Sequence, residues 1–397
     1  YGPPVKCTDK YSSTYSLSDT NFFNSVYYCL LESPVDGNCV SYGTMQTKFG
    51  VLSDWDVSKV TNMSYAFKNE LHFDGDLSKW STKSVTSMDG MFYGAKAFTG
   101  SFSINRWVTS SVLNMDYMFF EAASFNGLID GWDLSSVTSL SRMFYGAETF
   151  NRALGDWDTS SVKDMSGMFY LAISFNQAIQ NWDTSSVINM NEMFREASSF
   201  NQAIQKWDTV NVVDMSGMFH LAISFNQAIQ NWDTSSVINM NEMFRNATAF
   251  SQPLSRWTGP AATTTSSSVF TSALAFLEKY SCSDQNDGPV SSCTCSNFEY
   301  CLNDFTFHDA ISACLLEDPI HGACLTYGSV STKLGASISI WDTSRVTDMA
   351  GAFKNRIAFK GDISGWDTRA VTNMEYLLFN ATSFTADLSQ WSGVATQ

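Results

Sequence analysis

The sequence predicts an α+β repeat fold: two solenoids whose short strands stack into a parallel sheet, each entered through a helical, disulfide-bonded N-terminal cap. Three observations carry this expectation. Tryptophans fall at Trp55, Trp80, Trp107, Trp132, Trp157, Trp182, Trp207, Trp232 and Trp257, and again at Trp341, Trp366 and Trp391. The step is 25 residues within each run, except for one of 27 before Trp107, and all 12 tryptophans belong to the series. A fixed period of about 20–50 residues marks a repeat architecture. Apolar positions within the unit step by three or four, with neither a long helical run nor a long alternation. Finally, one non-repeat block occurs twice, ahead of each tryptophan run.

The unit is clearest from Phe175 to Ala197, where it reads Phe-x-x-x-Ile-x-x-Trp-Asp-x-Ser-x-Val-x-x-Met-x-x-Met-Phe-x-x-Ala. A short strand is expected around Ala-Ile-Gln-x-Trp. A single helical turn is expected on Met-Phe-x-x-Ala, because Met and Ala favour helix. Asp-Thr-Ser-Ser is turn chemistry, since these side chains bond nearby backbone amides. One such coil cannot bury its apolar side alone, whereas stacking buries it between neighbours. Paired strands would set a rise of about 4.8 Å per coil.

Stacking turns each position into a column. Of 17 methionines only Met45 lies outside two methionine columns. With the phenylalanine column Phe67 to Phe244 they read as packed core rather than a ligand groove. Asn126, Asn151, Asn176, Asn201 and Asn226 are expected to form an amide ladder that satisfies turn backbone. Asp133, Asp158, Asp183, Asp208 and Asp233 are expected to accept backbone N–H bonds in the turn rather than to collect Ca²⁺. Thr159, Thr184, Thr209 and Thr234 form a further column; ice binding is a minor reading of it, because each coil carries a single Thr beside an Asp.

The pattern resembles the BspA-like surface-protein repeats, a branch of the leucine-rich-repeat class. Trp182-Asp183-Thr184-Ser185-Ser186-Val187, with Met190, Met193 and Phe194 and then Phe200-Asn201-Gln202, matches that motif. The match runs from Ser53 to about Phe276 and again from Ser339 to Trp391. The resemblance implies leucine-rich-repeat-like solenoids and an extracellular or surface-displayed, non-enzymatic protein tied to adhesion and interaction. It supplies no catalytic residue.

In chain order, residues 1–54 read as an N-terminal cap, 55–276 as a long array, 277–300 as a Cys-rich junction, 301–340 as a second cap and 341–397 as a short array. Asp19–Glu32 is expected to be an amphipathic helix with an Asp or Thr N-cap, stopped by Pro34 and Gly37. Asp304–Glu317 is its counterpart. Asp164–Arg195 and Asp214–Arg245 are identical except for Tyr170 against His220, so two coils were copied as one unit. A spacer tolerates a change in coil number; a catalytic site would not. The long array decays after Trp257 into a degenerate coil around Val269, Phe270, Ala273 and Phe276 with one residue inserted, read as a C-terminal cap. The Ser/Thr run before it is a loop or a site for O-linked sugar. Asp284–Gly288 has some acidic character of a Ca²⁺ loop but lacks its frame, so a plain turn is expected. The short array ends at Trp391 without such a coil. Either the native chain continues or another molecule covers this end, and head-to-tail self-association there is the expectation.

Nine cysteines lie outside the repeats. Cys29–Cys39 and Cys314–Cys324 have matching position and spacing in the two caps, and are expected to be disulfides. Cys282, Cys293, Cys295 and Cys301 form an even set of unassigned pairing, with a zinc site as the weaker alternative. Cys7 is left over. Asn62, Asn246 and Asn380 begin N-glycosylation sequons, and Asn246 and Asn380 share a register in the coil.

Net charge is −16 with scattered Lys and Arg, which argues against nucleic acid and anionic membranes. No apolar run approaches the length of a membrane span, and Tyr1 in place of Met suggests a processed, secreted chain. His72, His220, His308 and His321 form no metal-like pair, and His220 is expected at the surface. No catalytic, cofactor or metal site is expected. The expected function is structural, as a subunit of a surface assembly or filament; the alternative is an adhesin-type module recognising protein or glycan on the solenoid face.

Overall fold

A computed structural model describes residues 16–39, 51–102, 104–295, 302–324, 334 and 337–392. Cys7, Met45 and Cys301 lie outside the described residues. The chain forms two compact units, Tyr1–Gln202 and Ala203–Gln397, and the boundary falls inside the long tryptophan run.

The first unit opens with α1, Phe22–Glu32, whose Phe22, Val26, Cys29 and Leu30 are buried. The helix starts three residues later than expected, and Asp19 does not cap it. Asp19 instead accepts the Thr61 amide at 2.8 Å and the Asn62 amide at 3.1 Å on Oδ1, and the Thr61 hydroxyl at 2.6 Å on Oδ2. The carboxylate thus docks the cap on the first repeat. The repeats follow, stacked ring on ring. The indoles of Trp157 and Trp182 lie 6.3 Å apart and 7° from parallel. Phe169 stacks on Phe144 at 5.5 Å and on Phe194 at 5.6 Å.

Within a repeat the backbone path differs from expectation in two places. No helical turn forms on Met-Phe-x-x-Ala. In the Met165 repeat the amides of Met168, Tyr170 and Ala172 close turns on the carbonyls of Met165, Gly167 and Phe169. The alternate amides, of Met165, Gly167, Phe169 and Leu171, donate to Asn189, Asn191, Met193 and Arg195 in the next repeat. Residues four apart adopt positive φ, Gly167 at 57° and Leu171 at 57°. That reversal swings every second N–H sideways. An isolated helical turn is a poor nucleus, whereas this path gives each buried amide a partner.

Nor does a strand form on Ala-Ile-Gln-x-Trp. Among the described residues, parallel pairing is confined to single bridges, such as Ser139↔Asp164 and Asp164↔Asn189. Beside the expected strand the Asn176 amide is taken by the Asn151 side chain at 3.0 Å, so no backbone ladder can run there.

The second unit repeats these features. Trp207 and Trp232 stack at 6.4 Å, and Trp232 and Trp257 at 6.3 Å. Inter-repeat amide bonds step by 24 residues at Gly217–Asn241 but by 25 at Glu242–Ser267, which is where the inserted residue is absorbed. Short helices α2, Pro260–Thr263, and α3, Leu274–Lys279, follow. The named sheet is a two-stranded antiparallel pair, β1 Tyr280–Ser281 and β2 Thr294–Cys295. Helix α4, Asp304–Glu317, enters the second array. Asp304 docks it as Asp19 docks α1, accepting the Thr347 amide at 2.7 Å and hydroxyl at 2.6 Å. The core of this array includes Phe307, Trp341, Phe353, Phe359 and Trp366.

Candidate functional site

The repeat columns carry polar side chains at fixed positions, and the structure closes them one on another. Indole N–H groups reach back to the preceding repeat: Trp157 to the Ile129 carbonyl at 3.0 Å, Trp182 to Leu154 at 2.8 Å, Trp257 to Ile229 at 3.1 Å. Each threonine reaches forward: Thr159 Oγ1 donates to the Asp183 carbonyl at 2.8 Å and Thr209 to Asp233 at 2.8 Å. Thr159, Thr184, Thr209 and Thr234 are all buried, so this column has no face to offer to ice, and that reading is rejected.

The asparagine column is a ladder from side chain to backbone. Asn126 Oδ1 accepts the Asn151 amide at 3.1 Å, Asn151 that of Asn176, and Asn176 that of Asn201 at 3.0 Å. In the second unit Asn226 accepts the Ser251 amide at 2.9 Å. The aspartates close turns instead. Asp158 Oδ1 accepts both the amide and the hydroxyl of Ser160, and Asp183 those of Ser185. Among the described residues no group of three or more His, Cys, Asp or Glu is placed to hold a metal.

These turn bonds have a pH consequence. The serine hydroxyl, then the serine amide, holds each of Asp133, Asp158 and Asp183 below the usual carboxylate value of 3.8. A depressed folded pKa contributes stability that is present above 3.8 and lost as pH falls through the lower folded values. Burial raises Asp89 and Asp116. Their sign is opposite: their contribution is full below 3.8 and fades as pH rises through the raised values. Thermal unfolding followed against pH is expected to show a decline in melting temperature from about pH 4 to about pH 2. Asp158→Asn should flatten that decline. An unchanged slope would remove the turn carboxylates as its cause.

Cysteine placement separates the two ends of each array. Cys29 and Cys39 are joined with Cα atoms 5.2 Å apart, and Cys314 and Cys324 at 4.9 Å. Both bridges tie the end of a cap helix to the following loop. Cys282 and Cys293 form a third disulfide, whose loop terminates the long array. Ser266 donates its amide to the Asp287 carbonyl at 2.8 Å, Ser268 to Asp287 Oδ1 at 2.5 Å, and Phe270 to the Asn286 carbonyl at 2.8 Å. The Asp284–Gly288 turn therefore supplies the acceptors that a further repeat would have supplied.

Of the sequon asparagines, Asn380 is exposed and Asn246 half-exposed, and both hold positive φ, 61° and 57°. Asn62 is exposed, and its Oδ1 accepts the Ser64 amide at 2.8 Å. His220 corrects its expected surface position. It is 5% exposed, with Nδ1 3.2 Å from Glu242 Oε2. The turn-forming path folds this column against its neighbours rather than outward. The equivalent positions in the first unit form an aromatic run missed in the sequence: Tyr93 on Phe120 at 4.4 Å, Phe120 on Tyr145 at 4.3 Å, Tyr145 on Tyr170 at 4.5 Å.

Within the second unit the two arrays are fastened together. Ser255 Oγ donates to Asp367 Oδ2 at 2.9 Å, and the Arg256 guanidinium to the carbonyls of Ser364 at 3.1 Å and Gln390 at 3.0 Å. Arg369 donates to the Ser255 carbonyl and to Asp367. Burial pushes the Asp367 carboxyl up, but the Arg369 bonds and charge outweigh it and hold it below the usual value.

Stacked units with internally closed polar columns define a repeat protein. The family model described as "Mycoplasma protein of unknown function, DUF285" matches residues 41–103, 101–188, 174–283 and 328–396. The chain belongs to the DUF285 family. Neither the curated proteins nor the solved structures gave a match.

Proposed function

We propose that this chain is a non-enzymatic extracellular structural protein, a subunit of a surface assembly or filament, built as two solenoids of the BspA-like, leucine-rich-repeat-like kind. The domain reading is cap 1–54, long array 55–276, junction 277–300, cap 301–340 and short array 341–397. One observation carries the function: the Trp, Thr, Asn and Asp columns use their polar groups on neighbouring repeats or their own turns, as in the Thr159, Asn151 and Asp183 bonds. Groups so engaged hold a stack together and are unavailable for acid–base or nucleophilic chemistry. The three disulfides among the described residues suit an oxidising compartment, and no helix described is long and apolar enough to cross a membrane. N-linked glycans are assigned to Asn246 and Asn380, with Asn62 as the third candidate.

The contact proposed for assembly is the apolar face around Tyr376, Phe379, Leu388 and Trp391, which line one open hollow. Tyr376 and Phe379 are each 55% exposed, whereas Tyr65, equivalent to Tyr376, is 38% exposed and Tyr93, Phe120, Tyr145 and Tyr170, equivalent to Phe379, are half-buried. A second copy of this chain has the matching composition, and a head-to-tail contact that does not close gives a filament. Native material examined by light scattering and peptide mass spectrometry should show concentration-dependent growth and hexose mass on Asn380. Phe379→Glu should reduce that growth by at least about tenfold in association constant. A strictly monomeric native species at high concentration would sink the assembly reading.

A further inference from the structure

We propose that the cleft between the two arrays of the second unit binds a neutral, polyhydroxylated ligand of the sugar class. This goes beyond the structural role and does not depend on it.

The cleft has a volume of about 300 Å³ and is lined by residues of both arrays. Gln205, Asn226, Gln230, Asn231 and Gln252 come from the long array, and Asp362 from the short one. A pocket of this size lies at the small end of the ligand range and has room for about one or two sugar rings. Its lining contains no Lys, Arg or His and mixes amide groups with apolar surface, including Ala228 and Ile340. The absence of cationic lining disfavours anions, and the mixed surface suits a ring that carries both hydroxyls and C–H faces.

What distinguishes the cleft from an ordinary polar crevice is Gln230. Its side chain is only 6% exposed. Nε2 donates to the Ser339 carbonyl across the cleft at a long 3.4 Å, and Oε1 is buried with no hydrogen-bond partner. A buried amide oxygen without a partner costs free energy. A hydroxyl both donates and accepts, so it satisfies whichever end of this amide turns to the cleft; Oε1 is itself shielded in this structure and meets a ligand when the amide rotates. Nearby groups are already fixed for recognition. Asn226 Oδ1 accepts the Gln252 amide at 2.9 Å, and Asn231 Oδ1 accepts Arg256 at 3.2 Å. Asp362 Oδ1 is held by the amide and hydroxyl of Ser364. Such pre-positioned amides and one carboxylate suit several hydroxyls on one small ring.

The experiment is saturation-transfer NMR on the full chain with glucose, galactose, mannose, N-acetylglucosamine, cellobiose and lactose, each at ~10 mM, where weak millimolar binding is detectable. At least one neutral sugar is expected to give transfer. Gln230→Leu removes the orphan acceptor at similar volume and should weaken binding at least about tenfold. Gln205→Trp, at an exposed position on the rim, should do the same by blocking the mouth, and it serves should Gln230→Leu not fold. Three results would each overturn the proposal: no transfer from any of these sugars, which would make the cleft a hydration site; transfer undiminished in Gln205→Trp; or transfer confined to acidic sugars added as controls.

Discussion

Phe169→Ala is expected to destabilise the first unit by about 3–5 kcal/mol, the range for emptying a fully buried aromatic site. Phe169 is wholly buried. Its ring contacts Phe175 at 3.9 Å within its own repeat, Phe144 at 5.5 Å in the repeat before and Phe194 at 5.6 Å in the repeat after. It also lies 6.3 Å from Trp182. The site cannot collapse easily, because each neighbour is pinned by its own stack. A repeat array is coupled only through adjacent units, so the hole weakens both interfaces that hold this repeat. Urea unfolding gives the magnitude. Hydrogen exchange gives the location: the amides of Gly167, Phe169 and Leu171, which donate to Asn191, Met193 and Arg195, should lose protection before those near Trp80. A cost below about 1.5 kcal/mol, or uniform loss of protection, would show that the columns are not the cooperative element.

That column was legible in the sequence because stacking repeats the same residue at the same step. The asparagine ladder was legible for the same reason, and for a physical one: a buried amide at every turn needs a partner, and the next copy is the nearest source. The backbone path was not legible. Its left-handed positions are filled by Gly90 and Gly167 but also by Tyr117, Arg142, Leu171 and Glu192, so no residue type announces them. Met and Ala pointed to helix, and inter-repeat hydrogen bonding overrode that propensity. The docking role of Asp19 and Asp304 did carry a signal, since they lie ten residues before Cys29 and Cys314, the matching cysteines of the two caps. The fastening of the two arrays carried none. Ser255 and Asp367 are 112 residues apart in the chain, and no local pattern records such a contact. His220 misled for a related reason: a substitution within a copied segment looks neutral until its neighbours in space are known.

Gly259→Ala is expected to cost about 2–6 kcal/mol, combining about 1–3 kcal/mol of strain in a positive-φ, extended region that is essentially glycine-only with overpacking of about 1–3 kcal/mol. Gly259 occupies the column that earlier repeats fill with Thr159, Thr184, Thr209 and Thr234. There the chain leaves the repeat path. Gly259 takes φ +91°, and α2 begins at Pro260. A Cβ added at Gly259 would lie 2.4 Å from the Thr234 carbonyl oxygen and 2.8 Å from that of Ser235. Both are backbone atoms of the preceding repeat, so neither can rotate aside. The local bonds are also tight: Thr234 Oγ1 donates to the Thr258 carbonyl at 2.8 Å and accepts the Thr258 amide at 3.0 Å. Relief would require lifting α2, whose Ala261 amide is bonded to the Val237 carbonyl. Gly351→Ala tests positive φ without the close approach, because Gly351 has φ +67° but its nearest contact would be Lys354 Cβ at 3.9 Å. It should cost only the strain, about 1 kcal/mol. Denaturant unfolding of the two variants gives the comparison. If Gly259→Ala costs no more than Gly351→Ala, the close approach between repeats at this exit does not constrain the fold.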